Sequence, residues 1–160
     1  NRLLIVTDQA LYDMGLLDPI LEQLTTSGLR FSIFTEVEPD PTFSVVEAGL
    51  SQYRRDNCDS VMAIGGGSSI DAAKVIALAA SNEVEPKELV GILKGKKPAA
   101  PFFAIPTTAG TGSEATDIAV ITNTKTDVKQ VLVHDQLIQF LPKILMTLVS
   151  YHYLTETDLI

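Results

Sequence analysis

The sequence predicts an α/β domain: a parallel sheet flanked by helices, with a β-hairpin near its C-terminal end. Three observations lead there. Continuous apolar runs recur at residues 3–6, 61–64 and 102–105, as expected of strands buried on both faces. Helix-forming segments separate them, and strands that alternate with helices join in parallel through right-handed crossovers. The last two runs each break into a loop rich in glycine and hydroxyl residues.

The first strand, residues 3–6, ends at Thr7 and Asp8. Asp18 and Pro19 read as N-cap and first helical residue, Ile20, Leu21 and Leu24 supply one apolar face, and Gly28 stops the helix. Residues 31–35 form a second strand. Pro39, Asp40 and Pro41 make a rigid loop, after which Ser44 and Glu47 fit a capping box for a helix through about Asn57. The strand at 61–64 leads into a helix over about residues 69–81. Residues 86–93 read as a short helix and residues 94–98 as an exposed, solvated basic turn. After the strand at 102–105, residues 118–122 and 131–134 alternate like hairpin strands around a polar turn at 123–127.

Two loops carry chemistry. Gly65, Gly66 and Gly67, followed by Ser68 and Ser69, stand between a strand and a helix start. Backbone N–H groups at a helix N-terminus form an anion site, and glycine lets the main chain approach a phosphate with no Cβ in the way. Ser68 or Ser69 can cap the helix and offer a hydroxyl. Alone, the segment also fits a tight turn that binds nothing. The second loop, Thr107-Thr-Ala-Gly-Thr-Gly-Ser-Glu114, leaves another strand end and offers hydroxyl donors without the desolvation cost of a charge. Ligands of open α/β sheets bind outside the carboxyl ends of the strands, so two such loops imply one shared crevice. Asp8, at a third strand end, suits the two hydroxyls of a ribose and would repel a 2′-phosphate, or is simply a turn residue. Lys129 reaches either a phosphate or solvent. His134 and His152 belong to no ligand pair and read as structural.

Composition narrows the classes. The 160 residues suit one domain with a real core. A net charge of −8 and a pI near 4.6 argue against a nucleic-acid partner, since no basic patch meets a polyanion. An acidic protein that binds an anion must do so with local backbone dipoles. Cys58 is the only cysteine, which excludes an intrachain disulfide and a cysteine metal cluster and fits a reducing cytoplasm. No apolar run is long enough to span a bilayer. A mean hydropathy of +0.21 and an opening directly in a strand suggest a segment of something larger, with a face made to meet another domain.

The stretches Val6-Thr-Asp8, Pro39-Asp-Pro-Thr42, Ala63-Ile-Gly-Gly-Gly-Ser-Ser-Ile-Asp71 and Ile105-Pro-Thr-Thr-Ala-Gly-Thr-Gly-Ser-Glu114 resemble the group III, iron-containing alcohol dehydrogenases over about residues 1–138. The resemblance implies a dinucleotide-binding domain at residues 1–138, with NAD as cofactor. By it, Asp8 holds the adenosine ribose and favours NAD over NADP. Gly66, Gly67 and Ser68 cradle the pyrophosphate, with Asp71 beside them. Thr107, Thr108, Thr111 and Thr116 line the cleft, Val120 lies near the nicotinamide, and Lys129 reaches the ribose or phosphate region. Asp40 takes a cofactor position where relatives carry asparagine.

Past Ile138 the sequence departs from the family pattern, and residues 139–160 read as a divergent tail. The family's helical metal-binding domain, with its iron or zinc held by one aspartate and three histidines, is expected to be absent, Asp158 being the sole candidate ligand. The expectation is therefore the NAD-binding domain of an enzyme that moves a hydride between the nicotinamide and a small primary alcohol or aldehyde. Alone it would bind nucleotide without catalysing, with no catalytic and no metal residues of its own. Glycerol dehydrogenase and dehydroquinate synthase relatives share the architecture, and a non-catalytic assembly module is the reading from another class. A homo-oligomer is expected, with the nearly uncharged residues 140–149 at the contact.

Overall fold

A computed structural model describes residues 2–137. The tail at 139–160, with His152, Asp158 and the 140–149 contact, lies outside the described residues. Four parallel strands form the main sheet: β1 (Arg2–Val6), β2 (Arg30–Phe34), β3 (Ser60–Gly65) and, after a short strand taken up below, β5 (Phe102–Pro106), in the order β2-β1-β3-β5. β1 pairs with β2 from Arg2↔Arg30 to Val6↔Phe34, and β3 with β5 from Val61↔Phe102 to Gly65↔Pro106. The chain steps outward from β1 to β2, then returns to lay β3 on the opposite side of β1.

The strand period of two sorts the core. Leu4, Val6, Val61 and Ala63 face α3 (Phe43–Arg55) and α4 (Gly67–Asn82). Leu3, Ile5, Ile64 and Ile105 face the other way, against Leu17 and the Ile20, Leu21 and Leu24 side chains of α2 (Asp18–Thr26). Helices thus cover both faces, as continuous apolar strands demand. α4 is buried along most of its length from Ser69 to Ala79, since β3, β5, α3 and β6 (Ile118–Asn123) all pack on it.

The hairpin of β6 and β7 (Val128–Val133) belongs to a second sheet, β4-β7-β6, whose third member is the short β4 (Gly91–Ile92). β7 starts before the predicted residue 131, pairing Asn123↔Val128. The predicted helix at 86–93 is only a 3-10 turn, Pro86–Leu89. Gly91 has φ +106, which no helix allows, and Gly91 and Ile92 pair with Leu132 and Val133. Tertiary pairing overrides local propensity there.

Capping also differs. Thr42, not Ser44, caps α3: its backbone is extended and its hydroxyl accepts from the Val45 amide at 3.4 Å, while Ser44 lies inside the first turn and shares a 2.8 Å hydrogen bond with Thr42. α2 starts one residue early, with Leu17 as N-cap and Asp18 helical. A one-turn helix, α1 (Gln9–Asp13), was not predicted; the Asp8 carboxylate caps it by accepting from Leu11 N at 2.9 Å. The basic turn is not merely solvated: Asn82 Oδ1 accepts from the amides of Lys96 and Lys97 at 2.7 Å each.

Candidate functional site

Because β1, β3 and β5 are parallel, their carboxyl ends and following loops share one edge of the sheet. The strand order reverses between β1 and β3, the position where ligands of such sheets bind. Gly65 ends β3 with φ +155; a Cβ there would sit 2.5 Å from Ser69 Oγ. Gly66 is the N-cap of α4, and no side chain caps that end. Ile70 N, bonded to Gly66 O at 3.1 Å, starts the helical ladder. The amides of Gly67, Ser68 and Ser69 therefore precede it as the unpaired donors of a helix start. Ser68 and Ser69 lie within the first turn and are not its cap, contrary to expectation.

The loop after β5 lies against these glycines. Thr107 N donates to Gly65 O at 2.9 Å. A Cβ on Gly66 would sit 3.2 Å from Thr108 Oγ1, and one on Gly67 would sit 3.1 Å from Ser113 Oγ and 3.5 Å from Thr111 Cβ. Glycine leaves the backbone bare on the side where the hydroxyls gather. Thr107, Thr108 and Thr111 are solvent-exposed. Six of the expected residues, Gly66, Gly67, Ser68, Thr107, Thr108 and Thr111, thus lie where the two loops meet.

Asp71, Thr116 and Val120 share a hydrogen-bond network of their own. Asp71 Oδ2 accepts from Val120 N at 3.0 Å. Lys74, 1% exposed, donates through Nζ to Thr116 O and Ile118 O at 2.8 Å each and to Thr116 Oγ1 at 3.3 Å. Asp71 and Lys74, three residues apart on one helix face, thereby satisfy the edge of β6 that points away from β7. Pro41 O continues that edge, accepting from Thr122 N at 2.8 Å. Burial pushes the Asp71 carboxyl up, against the Val120 amide, Lys74 and Ser113. Burial pulls the Lys74 ammonium down, opposed by Asp71, Asp117 and Glu114. Asp71 Oδ1, Glu114 Oε2 and Thr7 Oγ1 are buried without a hydrogen-bond partner. Sequence reasoning missed Lys74 and Ser113; the i, i+3 spacing of Asp71 and Lys74 was the available signal.

The remaining residues lie at the margins. Asp8 stands at the end of β1, half-buried, with one oxygen engaged in the cap of α1. Asp40, at φ +55, pairs with Lys129 at 2.6 Å, both side chains exposed. His134 is buried, with Nε2 3.1 Å from Gly95 O. Among the described residues no group of three His, Cys, Asp or Glu side chains is placed to hold a metal ion. No helix among them is long and apolar enough to cross a membrane.

Sheet order, strand-end loops and the glycine-opened helix start define the dinucleotide-binding class of α/β domain. A family model for iron-containing alcohol dehydrogenases matches residues 1–145. The chain belongs to that family. It is 40% identical over 137 residues to an NAD-dependent methanol dehydrogenase of Bacillus methanolicus, covering 86% of this chain and 36% of that protein. Against a 1,3-propanediol dehydrogenase of Klebsiella pneumoniae the figures are 41% over 135 residues, 83% and 35%. The chain thus spans about a third of the length of these relatives. The crystal structure of a 1,3-propanediol oxidoreductase superposes with a TM-score of 0.83 at 35% identity, covering 99% of this chain and 44% of that one. A sulfoacetaldehyde reductase of Bifidobacterium kashiwanohense, solved with NAD+, gives 0.73 at 30% identity, covering 86% and 36%.

Proposed function

We propose that this chain is the NAD-binding portion, residues 1–138, of an NAD-dependent alcohol dehydrogenase of the iron type, working on a small primary alcohol or aldehyde. The observation that carries the reading is the bare backbone of Gly66 and Gly67 facing the hydroxyls of Thr108 and Ser113 and the side-chain carbons of Thr111 at the start of α4. A dinucleotide fits this donor set. Its pyrophosphate needs backbone amides in a cradle that a Cβ would fill, and Gly67 and Ser68 supply them beside a positive helix end. Thr107, Thr108 and Thr111 donate hydroxyls from the facing loop. Asp8 takes the ribose hydroxyls with its uncommitted oxygen, and Val120 borders the nicotinamide. Asp40 and Lys129 meet the cofactor as an ion pair, so Lys129 brings less net charge to a phosphate than a lone lysine.

NAD, when bound, supplies the hydride chemistry. The residues of this chain bind it, orient it and keep water from its buried side. Iron or zinc finds no matching donors among the described residues. By this reading the chain is a binding module that binds nucleotide without catalysing by itself. A cytoplasmic homo-oligomer agrees with the single cysteine and the exposed apolar side chains of the second sheet.

NADH fluorescence on titration with the chain, followed by an alcohol-oxidation assay with added Fe2+ or Zn2+, tests this. Binding without turnover is expected. Absence of binding refutes the nucleotide reading, and turnover refutes the claim that the chain lacks a working metal site.

A further inference from the structure

Lys74 has no part in the reading above, yet it ties the hydroxyl loop to the helix that the loop faces. It lies two turns into α4, and its ammonium has three donors and three acceptors, all on residues 116–118. That segment joins the loop of Thr111 and Ser113 to β6. The loop carries two left-handed glycines, Gly110 at φ +92 and Gly112 at φ +68, so its conformation must be imposed from outside. An apolar side chain of similar length would fill the space without desolvating a charge, and a buried ion is weak evidence for stability alone. Thr116 Oγ1, which accepts from Lys74, also lies 3.3 Å from Ser113 O as a donor, so the tie extends to the residue opposite Gly67.

We propose that Lys74 is a positioning residue of the nucleotide site: its three hydrogen bonds fix residues 113–118 and so hold Thr111 and Ser113 against the backbone of Gly67. This rests on the nucleotide reading. Coupling between two sites is reciprocal, so a nucleotide bound against the ordered loop also tightens the tie on Lys74.

The test compares NADH titration, thermal melting and amide exchange for the parent chain and Lys74→Met. The variant should melt cooperatively, bind NADH about tenfold more weakly, and exchange faster over residues 113–120. Equal NADH affinity, even with a lowered melting temperature, overturns the proposal, because a purely structural lysine would act on stability alone. Should Lys74→Met fail to fold, acylation of Lys74 in the unaltered chain decides. Its rate should fall about tenfold at saturating NADH, and an unchanged rate refutes the coupling. The two readings fail differently. A parent that takes no NADH sinks both, whereas a parent and variant that bind alike sink only the role of Lys74.

Discussion

The proposed site gives Asp8 a second task at the end of β1, and the choice of variant separates it from the first. One carboxylate oxygen caps α1 through Leu11 N. Asparagine caps a helix as well as aspartate does, so Asp8→Asn removes the charge and keeps the cap. A carboxylate facing a 2′-phosphate is a like-charge contact. The variant should therefore narrow the preference for NADH over NADPH by about tenfold, or about 1.4 kcal/mol. Paired titrations check this, and an unchanged ratio removes Asp8 from the ribose site. At the glycine turn two substitutions should part company. In Gly66→Val the new Cβ meets the end of a side chain, Thr108 Oγ1 at 3.2 Å, so the fold should survive while NADH affinity drops about tenfold or more. In Gly65→Ala the Cβ meets Ser69 Oγ at 2.5 Å and Cβ at 2.7 Å at a left-handed φ, which should cost about 1–3 kcal/mol of stability in urea titrations. A Gly65→Ala chain as stable as the parent would contradict this turn geometry. The triple glycine was plain in the sequence; which member carries the positive φ was not, because that depends on where Ser69 packs.

At the level of elements, burial governs both what was legible and what titrates. The three apolar runs gave their strands directly, since a strand buried on both faces has no polar alternation to obscure it. β4 was hidden because two residues acquire strand character only by meeting Leu132 and Val133, and α1 because its cap is a residue read first as a ligand contact. The Asp71–Lys74 face of α4 was read only in half, as a carboxylate near the cofactor. Its pH response follows from the buried carboxyl. Folded Asp71 has a pKa above its ordinary value of 3.8, so the folded chain takes up a proton before the unfolded chain does. That contribution to stability is fully present below 3.8 and is lost as pH rises through the folded pKa. Asn at this position keeps an acceptor for Val120 N and cannot titrate. The stability difference between parent and Asp71→Asn should therefore move in favour of the parent as pH falls from 7 towards 4. Urea midpoints across that range measure it, and a difference independent of pH would mean that Asp71 is not held in the buried contact with Val120.

Across the whole molecule, two sheets share one helix and their outer surfaces differ in character. The main sheet is covered on both faces, whereas the β4-β7-β6 sheet buries Ala119, Ile121 and Leu132 inward and, among the described residues, leaves its other face open. Register puts Ile92, Val133 and Ile118 in one cross-strand row of that open face and Val131 and Val120 in the next. Ile92 is 70% exposed, Val131 44% and Ile118 39%, an apolar strip that ends only at the row of Thr122 and Lys129. Contiguous patches of this kind seldom stay uncovered on a soluble monomer. Hydropathy suggests such a surface, and the contact expected at residues 140–149 lies outside the described residues. This strip was not legible because isolated apolar residues on alternate positions of three strands join only through the register. The chain as it stands should self-associate through this strip at concentrations on the order of tens of micromolar. Ile92→Lys with Val131→Lys should leave secondary structure in place while shifting light scattering to the monomer mass. A parent chain that scatters as a clean monomer would show that the strip is already covered, and an unaltered assembly in the double variant would move the contact elsewhere on the surface.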